Sequence, residues 1–299
     1  MPNKRIFYAS HAVKVAGVVV GGAQSVSVNT NFNLEQVFQL GRLAIYDNVS
    51  TDPDVEVTIT KALDGLNLIY GLATGGGSIV TNANDQTTII LGVGDDTNAL
   101  IGGSNTSSIT MTGCYITNLS YTIPVDGNMT EEVQFVGSHK QAGGAALAPP
   151  NDTPNTKILR RQHLSNSTVL PVAVSGANIS NISISASLNR EKMYTLGQFS
   201  PFHRFVNFPL EVTCSFDVIA NEVDSIAIAE VHTRCDGRVQ PEEPISIVLC
   251  VEGGAASYTF DLGAKCKMQS VNYSGGDTSG GNVTLTYTYI TYNDLSISG

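Results

Sequence analysis

The residues that could carry out chemistry in this chain are scattered and form no recognisable catalytic set. His232 has one further metal-ligating residue nearby, Cys235, but lacks the second pair of ligands that a zinc site needs. Glu131–Glu132 and Glu242–Glu243 are neighbouring acids, and neighbours on a strand point to opposite faces, so neither pair forms an acid–base dyad. We therefore predict that the protein is not an enzyme and holds no metal or cofactor. The other histidines, His11, His139, His163 and His203, are isolated in the sequence.

The five cysteines are odd in number, widely spaced and free of any Cys-x-x-Cys motif. We expect free, mostly buried thiols, the usual state in a reducing compartment. The sequence leaves open whether Cys114 or Cys266 joins neighbouring chains through a disulfide.

The composition points to a protein whose surface is covered by assembly. Charged residues make up 14% of the 299 residues, against roughly 25% in an ordinary soluble domain. A surface so poor in charge favours association. The net charge of −10, without a basic patch, argues against tight nucleic-acid binding. We see no signal peptide and no apolar stretch of about 20 residues, so we expect no membrane anchor.

An internal repeat divides the chain into two similar halves of about 150 residues, the size of a typical domain. Asn33–Gly41 resembles Asn189–Gly197, with Asn, Glu, Leu and Gly coinciding at one separation (197 − 41 = 156). Glu56 then aligns with Glu211, one residue out of step (211 − 56 = 155), and Cys114 aligns with Cys266 (266 − 114 = 152). The alternative is chance similarity, because β-proteins share pattern and composition.

A small, Pro/Gly-rich and aperiodic segment at residues 141–154 is typical of a linker. It predicts a first domain at residues 1–140 and a second at residues 155–299.

Alternation of apolar and polar residues predicts four long strands in each half, with one face on a core and one polar. A short helix is also expected in each half, at Asp64–Ala73 and Asn221–Glu230, stable only when packed on a sheet. The predicted strands centre on Ser25–Phe32, Val55–Thr60, Tyr115–Ile123 and Glu132–Phe135 in the first half, and on Asn181–Ala186, Leu210–Val218, Ser270–Ser274 and Val283–Tyr289 in the second.

The run Gln24–Gly41, continuing through Ile45–Asn48 to Pro53–Thr58, resembles the N-terminal region of tailed-bacteriophage tail tube proteins. The resemblance implies a small β-sandwich with a flanking helix, and four strands per domain in an inner β-barrel built between subunits. It also implies rings of six domains that stack into a tube through which the genome leaves the capsid. Most such proteins carry one tube domain per chain, so two tandem domains favour a ring of three chains.

The sequence therefore predicts a mainly β fold of two tandem tail-tube-type domains, acting as a structural subunit of the tail tube. The expected location is the virion tail, after assembly in the host cytoplasm. The expected partners are further copies of the chain and, within the tail, sheath, baseplate and tail terminator proteins; DNA passes without specific binding. Two alternatives stand: a baseplate hub or tube-initiating protein, and a β-sandwich carbohydrate-binding or adhesin module, which the absence of Trp disfavours.

Four acidic residues lie on the polar faces of the predicted barrel strands: Glu56, Glu132, Glu211 and Asp217. We expect them to line the channel and repel DNA. The alternative is that they solubilise an outer sheet.

Two segments between barrel strands, Arg42–Asp54 and Gln198–Phe208, are long for hairpin loops and carry aromatic residues. We expect them to reach an adjacent ring or subunit, because exposed aromatics usually mark interfaces. The alternative is that each folds back on its own domain. The aromatic residues expected at these contacts are Tyr46, Phe199, Phe202, Phe205 and Phe208.

Overall fold

The computed structural model describes residues 11–93, 107–144, 147, 157–220, 241–251, 257–275 and 282–299. These residues are mainly β, as predicted, with one α-helix, α1 (Ile69–Thr74), and one 3₁₀ turn, Arg161–His163. The strands of the first half are β1 (His11–Val15), β2 (Val18–Val19), β3 (Ala23–Asn31), β4 (Leu34–Phe38), β5 (Ile45–Ser50), β6 (Asp54–Ala62), β7 (Gly77–Ser78), β8 (Thr87–Val93), β9 (Ser107–Pro124), β10 (Thr130–Gly137) and β11 (His139–Gly144). The strands of the second half are β12 (Asn178–Ser187), β13 (Arg190–Met193), β14 (His203–Val206), β15 (Glu211–Ile219), β16 (Ser246–Cys250), β17 (Ser257–Asp261), β18 (Lys267–Ser274), β19 (Thr284–Tyr292) and β20 (Ser296–Ser298).

The eight predicted barrel strands all form, and they lie side by side in one antiparallel sheet. Their order is β3-β6-β10-β9-β12-β15-β19-β18. The first four come from the first half and the last four from the second. In each half the strands follow the same order along the sheet, namely first, second, fourth and third in the sequence. We call this the main sheet; the ladder between β9 and β12 is the seam that joins the halves.

β-Bulges occur at matching places in the two halves. Gln24 is the extra residue of β3 against β6, and Ser180 is the extra residue of β12 against β15 (180 − 24 = 156). Thr117 of β9 and Gln269 of β18 are likewise the extra residues against β10 and β19 (269 − 117 = 152). These are two of the three separations found in the sequence repeat. Bulges mark particular positions in a fold, because they change the twist and bend of a strand.

The ladders also correct one step of the sequence alignment. Val57 pairs with Val28, and Cys214 pairs with Ile184. Since Val28 and Ile184 stand at the first of the two separations (184 − 28 = 156), Val57 corresponds to Cys214. Asp54, rather than Glu56, then corresponds to Glu211. Alternation alone allowed the error, because a shift of two residues keeps every side chain on its face.

Smaller sheets cover the apolar face of the main sheet. In the first half the N-terminal part of β9 turns away to pair with β8 and β11, and β1 and β2 extend that layer. Gly113 stands at the turn with a φ of 67°, a conformation that favours glycine. In the second half the cover is a sheet of order β16-β17-β20-β7.

The two halves share this cover and one apolar core. The C-terminal strand β20 pairs with β7 of the first half, placing Ile297 opposite Gly77. Tyr121 of the first half packs on Phe260 of the second, with ring centroids 4.4 Å apart. The halves are therefore joined by sheet and core as well as by the chain. Of the predicted linker, residues 141–144 end β11, Leu147 is buried, and the remaining residues lie outside the described ones.

A two-stranded hairpin replaces each predicted long loop between the first two barrel strands of a half. Hairpin 1 is formed by β4 and β5, and hairpin 2 by β13 and β14. Leu34 pairs with Ser50 in hairpin 1, and Arg190 pairs with Val206 in hairpin 2. The two pairs correspond at the separation of the repeat: Arg190 to Leu34 (190 − 34 = 156) and Val206 to Ser50 (206 − 50 = 156).

The first predicted helix is shorter than expected and the second lies outside the described residues. Helix α1 begins at Ile69 rather than Asp64. The preceding turn is held instead by Lys61, whose Nζ donates to the carbonyls of Leu66 and Asn67, and Gly65 has a φ of 82°, which ends any helix there.

Candidate assembly surfaces

The polar face of the main sheet brings the four predicted lining carboxylates together on one surface. Directly opposite residues of an antiparallel ladder share a face. Glu56 shares its strand face with Thr60, which pairs with Glu132; Glu132 pairs with Ser120, and Ser120 with Ser185. From Ser185 the same face continues along β12 to the partners of the two second-half acids: Ser187 pairs with Glu211 and Asn181 with Asp217.

Neutral groups donate hydrogen bonds to three of these carboxylates. Asn29 donates to Glu56 at 3.4 Å, and Gln134 donates to Glu132 at 3.3 Å. Asp217 accepts from Asn181 at 3.1 Å and from the Thr286 hydroxyl at 2.7 Å. Because amides and hydroxyls carry no net charge, these bonds leave the negative charge of the face in place.

Cationic residues are scarce in the eight strands. Lys61 is buried beneath the sheet and pairs with Asp64 at 3.1 Å. Lys267 lies on the polar face opposite Ile290, and it pairs with Glu242 at 3.3 Å. Among the side chains of the eight strands, the charged groups of the polar face are therefore mainly acidic.

Hairpin 2 crosses the seam and is anchored on the first half by a cluster of charges. Arg204 Nη2 lies 2.7 Å from an Asp54 oxygen and 3.4 Å from Asp52 Oδ2, and it donates to the Ser138 hydroxyl at 2.7 Å. Lys192 contacts the same two carboxylates at 2.7 and 3.5 Å. Partial burial would raise the pKa of Asp54, but the hydrogen bonds from Lys192 and Arg204 outweigh it and lower that pKa.

Arg190 makes the second anchor of hairpin 2. Its guanidinium donates to the carbonyls of Ile116 and Ala83, each at 2.7 Å, and lies over the Tyr115 ring at 4.9 Å from the centroid. Burial lowers the pKa of Arg190 to about 10, which still leaves it charged at neutral pH. Tyr115 also bonds His203 of hairpin 2, with 2.9 Å between the hydroxyl and Nδ1.

Sequence reasoning missed this charge cluster, although a signal was present. Arg190 and Lys192 are two residues apart, so they share a face of one strand, and Lys192 pairs with Arg204. Cations on one face of a hairpin suggest acidic partners, and Asp52 and Asp54, which bind Lys192 and Arg204, show the same spacing of two.

The five aromatic residues expected at inter-ring contacts are all exposed and lie on the hairpins or their flanks. Tyr46 is in β5, and Phe205 is in β14. The hairpin tips also expose three leucines that the sequence analysis did not single out: Leu40, Leu43 and Leu196. The other exposed aromatics of the set are Phe199, Phe202 and Phe208.

The outer edges of the main sheet are β3 and β18, and no described strand pairs with their outer sides. Side chains at the β18 edge are exposed where their counterparts at the seam are buried. Tyr273 is 56% exposed and Val271 38%, against 0% for Tyr121 and 1% for Leu119. In β3, Val26 and Val28 are half-buried, whereas Ile182 and Ile184 of β12 are buried.

Glu131 differs from its neighbour Glu132 in being fully buried, so the two acids face opposite sides as predicted. It accepts hydrogen bonds from the backbone N–H groups of Ile69 and Tyr70 at 2.6 and 3.0 Å, and from the Tyr121 hydroxyl at 3.0 Å. Burial raises the pKa of Glu131, although these donors oppose the rise. The residue ties α1 to the main sheet.

Burial also answers the question about the cysteines. Cys114 and Cys266 are buried and free, so they cannot join neighbouring folded chains. Burial raises the pKa of Cys114 to about 12 and that of Cys266 to about 11, which keeps both as unreactive thiols. Cys214 is buried as well and Cys250 is half-buried, while Cys235 lies outside the described residues.

Within the described parts of the chain, no group of three His, Cys, Asp or Glu residues is placed to hold a metal ion. The same residues contain no helix long and apolar enough to cross a membrane.

The described residues form a mainly β protein with an open main sheet, exposed apolar hairpin residues and acidic side chains on its polar face. Residues 8–137 match the family model described as Phi812 tail tube protein. This match supports a phage tail tube protein and confirms the resemblance seen in Gln24–Gly41. The family is structural, and it implies a location in the virion tail. No curated protein matches the chain.

Proposed function

We propose that this protein is the building block of a phage tail tube, in which stacked rings of the chain form the conduit for DNA ejection. The observation that carries the proposal is the main sheet. Each half contributes four strands in the same order, and the sheet stays open at both ends. Because β3 and β18 do not pair with each other, the sheet can extend into a closed wall by adding further copies.

The ring holds three chains, with the two halves as alternating units of a pseudo-sixfold arrangement. The repeated strand order and the paired bulges support a duplicated domain. A head-to-tail contact closes into a ring when its rotation fits. Three chains with eight main-sheet strands each would give a barrel of 24 strands.

The polar face of the main sheet forms the inner wall of the tube. A cationic wall would hold DNA through its phosphates in a salt-dependent way. Glu56, Glu132 and Asp217 accept hydrogen bonds from uncharged groups, which do not offset a carboxylate's charge. In stacked rings the four lining carboxylates would repeat along the bore, and their combined field would repel the polyanion. DNA therefore passes without specific binding, and the residues have no catalytic role.

The exposed hairpin tips make the contacts between stacked rings. Leu40, Leu43 and Leu196 are exposed to solvent with the aromatics around them, and apolar patches of this kind mark interaction sites. Within the tail, the end rings would meet tail terminator and baseplate proteins, and the outer wall a sheath if the tail contracts.

Electron microscopy of the purified protein tests the proposal. We expect rings or tubes with a regular axial repeat, formed without nucleic acid. A protein that stays a dispersed monomer at every concentration and salt condition would contradict it and favour a binding module.

A further inference from the structure

The seam inside the chain shows how the two kinds of half meet. Strand β9 is the last strand of the first half in sheet order, and β12 is the first strand of the second. They pair with Ser120 opposite Ser185 and Tyr121 opposite Ile184. Tyr121 and Ile184 are buried on the covered side of the sheet. The seam thus joins the last strand of one half to the first strand of the next.

The outer edges of the main sheet carry the counterparts of these two strands. The matching bulges relate β9 to β18 and β12 to β3. Ser120 and Ser185 of the seam therefore correspond to Asn272 and Asn29 at the outer edges. The two outer edge strands therefore match the two strands that pair at the seam. They lie at opposite edges of the main sheet and do not pair with each other, so each can find its matching strand in another chain.

We propose that β18 of one chain pairs antiparallel with β3 of the next chain in the register of the β9–β12 seam, which places Asn272 opposite Asn29. The proposal rests on the proposed ring, and it specifies the partner as a second copy and the contact residue by residue. On the covered side Tyr273 then lies opposite Val28, and Val271 opposite Thr30. This pairing would bury Tyr273 and Val271, which are exposed in the single chain, as Tyr121 and Leu119 are buried at the seam.

The same correspondence predicts where hairpin 1 lies in the ring. Hairpin 2 leaves the end of β12 and lies across the seam on the first half of its own chain. Hairpin 1 leaves the end of β3 in the same way but is exposed along both strands. If β3 joins β18 of a neighbouring chain, hairpin 1 lies on the second half of that neighbour.

The chemistry of the two hairpin contacts differs. The ladder positions of Arg190, Lys192 and Arg204 correspond to Leu34, Gln36 and Asn48 in hairpin 1. Hairpin 1 therefore has no counterpart of Lys192 and Arg204, which bind Asp52 and Asp54, or of Arg190, which binds backbone carbonyls. The contact between chains is held by strand pairing and apolar surface, and it should depend less on salt than the contact within the chain.

Paired cysteine substitutions test the register in assembled tubes. Opposite residues of an antiparallel ladder have Cα separations that a disulfide can span. In a background with Cys235→Ser and Cys250→Ser, the pair Asn29→Cys with Asn272→Cys should link chains into dimers and trimers on mild oxidation. Ser27→Cys with Ser274→Cys should do the same, which guards against a single variant that fails to fold. Denaturing gels without reductant give the readout.

Two control pairs test whether crosslinking between chains depends on the proposed register. Ser120→Cys with Ser185→Cys sits at the equivalent place in the seam, so it should form a disulfide within one chain and no dimer. Asn29→Cys with Ser274→Cys is two residues out of register and should link chains at least tenfold more slowly than the in-register pair. Tubes in which the seam control forms but neither in-register pair links chains would overturn the proposed register and leave the tube function standing. A parent protein that forms no rings or tubes would overturn both.

Discussion

The charge cluster beneath hairpin 2 allows a prediction in which two cations share the same partners but differ in burial. Arg204 is 4% exposed at its side chain and Lys192 24%. Removing one partner of a buried ion pair costs about 3–5 kcal/mol, whereas an exposed pair contributes at most about 1 kcal/mol. Asp52 is itself nearly inaccessible, and its Oδ1 has no hydrogen-bond partner among the described residues, so it has little to replace Arg204.

We therefore expect Arg204→Met to release hairpin 2 while Lys192→Met barely loosens it. A loss of about 3–5 kcal/mol corresponds to about two to three and a half orders of magnitude in the opening equilibrium. Amide hydrogen exchange of β13 and β14 in the unassembled chain should accelerate by that factor, up to the limit set by global unfolding. Equal exchange rates in the two variants would refute the argument that burial makes Arg204 the anchor.

The same cluster predicts how hairpin 2 responds to acid. The pKa of Asp54 is lowered below its ordinary value of 3.8 in the folded chain, so its contribution is present above that value and is lost as pH falls through the folded pKa. Protection of β13 and β14, corrected for intrinsic exchange rates, should hold down to about pH 4 and weaken below it. Protection that already declines between pH 7 and pH 5 would point to another group.

The remaining predictions address the core, the wall and the contacts between rings. Tyr121→Phe removes one hydrogen bond from the buried Glu131 and should lower the free energy of unfolding by about 1–2 kcal/mol in urea titrations, with no effect on the polar face. Changing the four lining acids together to lysine should leave tubes intact but slow DNA ejection from virions, and normal ejection would contradict the lining role. Deleting Ala44–Thr51, which removes β5, should leave a folded chain that keeps the β-sheet circular dichroism signal of the main sheet but no longer polymerises; normal tubes from it would refute the role of hairpin 1.

Strand faces could be predicted from the sequence because the long strands alternate over most of their length, apart from their bulges. In β15, for example, Val212, Cys214, Phe216 and Val218 are buried while the residues between them are not. Hairpin 1 could not be predicted in this way, because β4 and β5 are exposed on both faces. The same alternation of apolar and polar residues assigned the four acids to the polar faces.

What the sequence could not reveal is how distant segments meet. The seam pairs Ser120 with Ser185, and nothing local in either strand specifies that partner. Arg204 binds Asp54 across 150 residues, a contact between the two halves that the seam joins. The burial of Glu131 is equally non-local, since its partners come from α1 and β9.

A cryo-electron microscopy reconstruction of the assembled tube, made without imposed symmetry, tests the central claim most directly. We predict rings of three chains in which the two halves alternate, with an inner wall of 24 strands continuous across the seam and across the β18–β3 contact. A ring of six chains, or a wall in which β3 and β18 remain unpaired, would contradict the account.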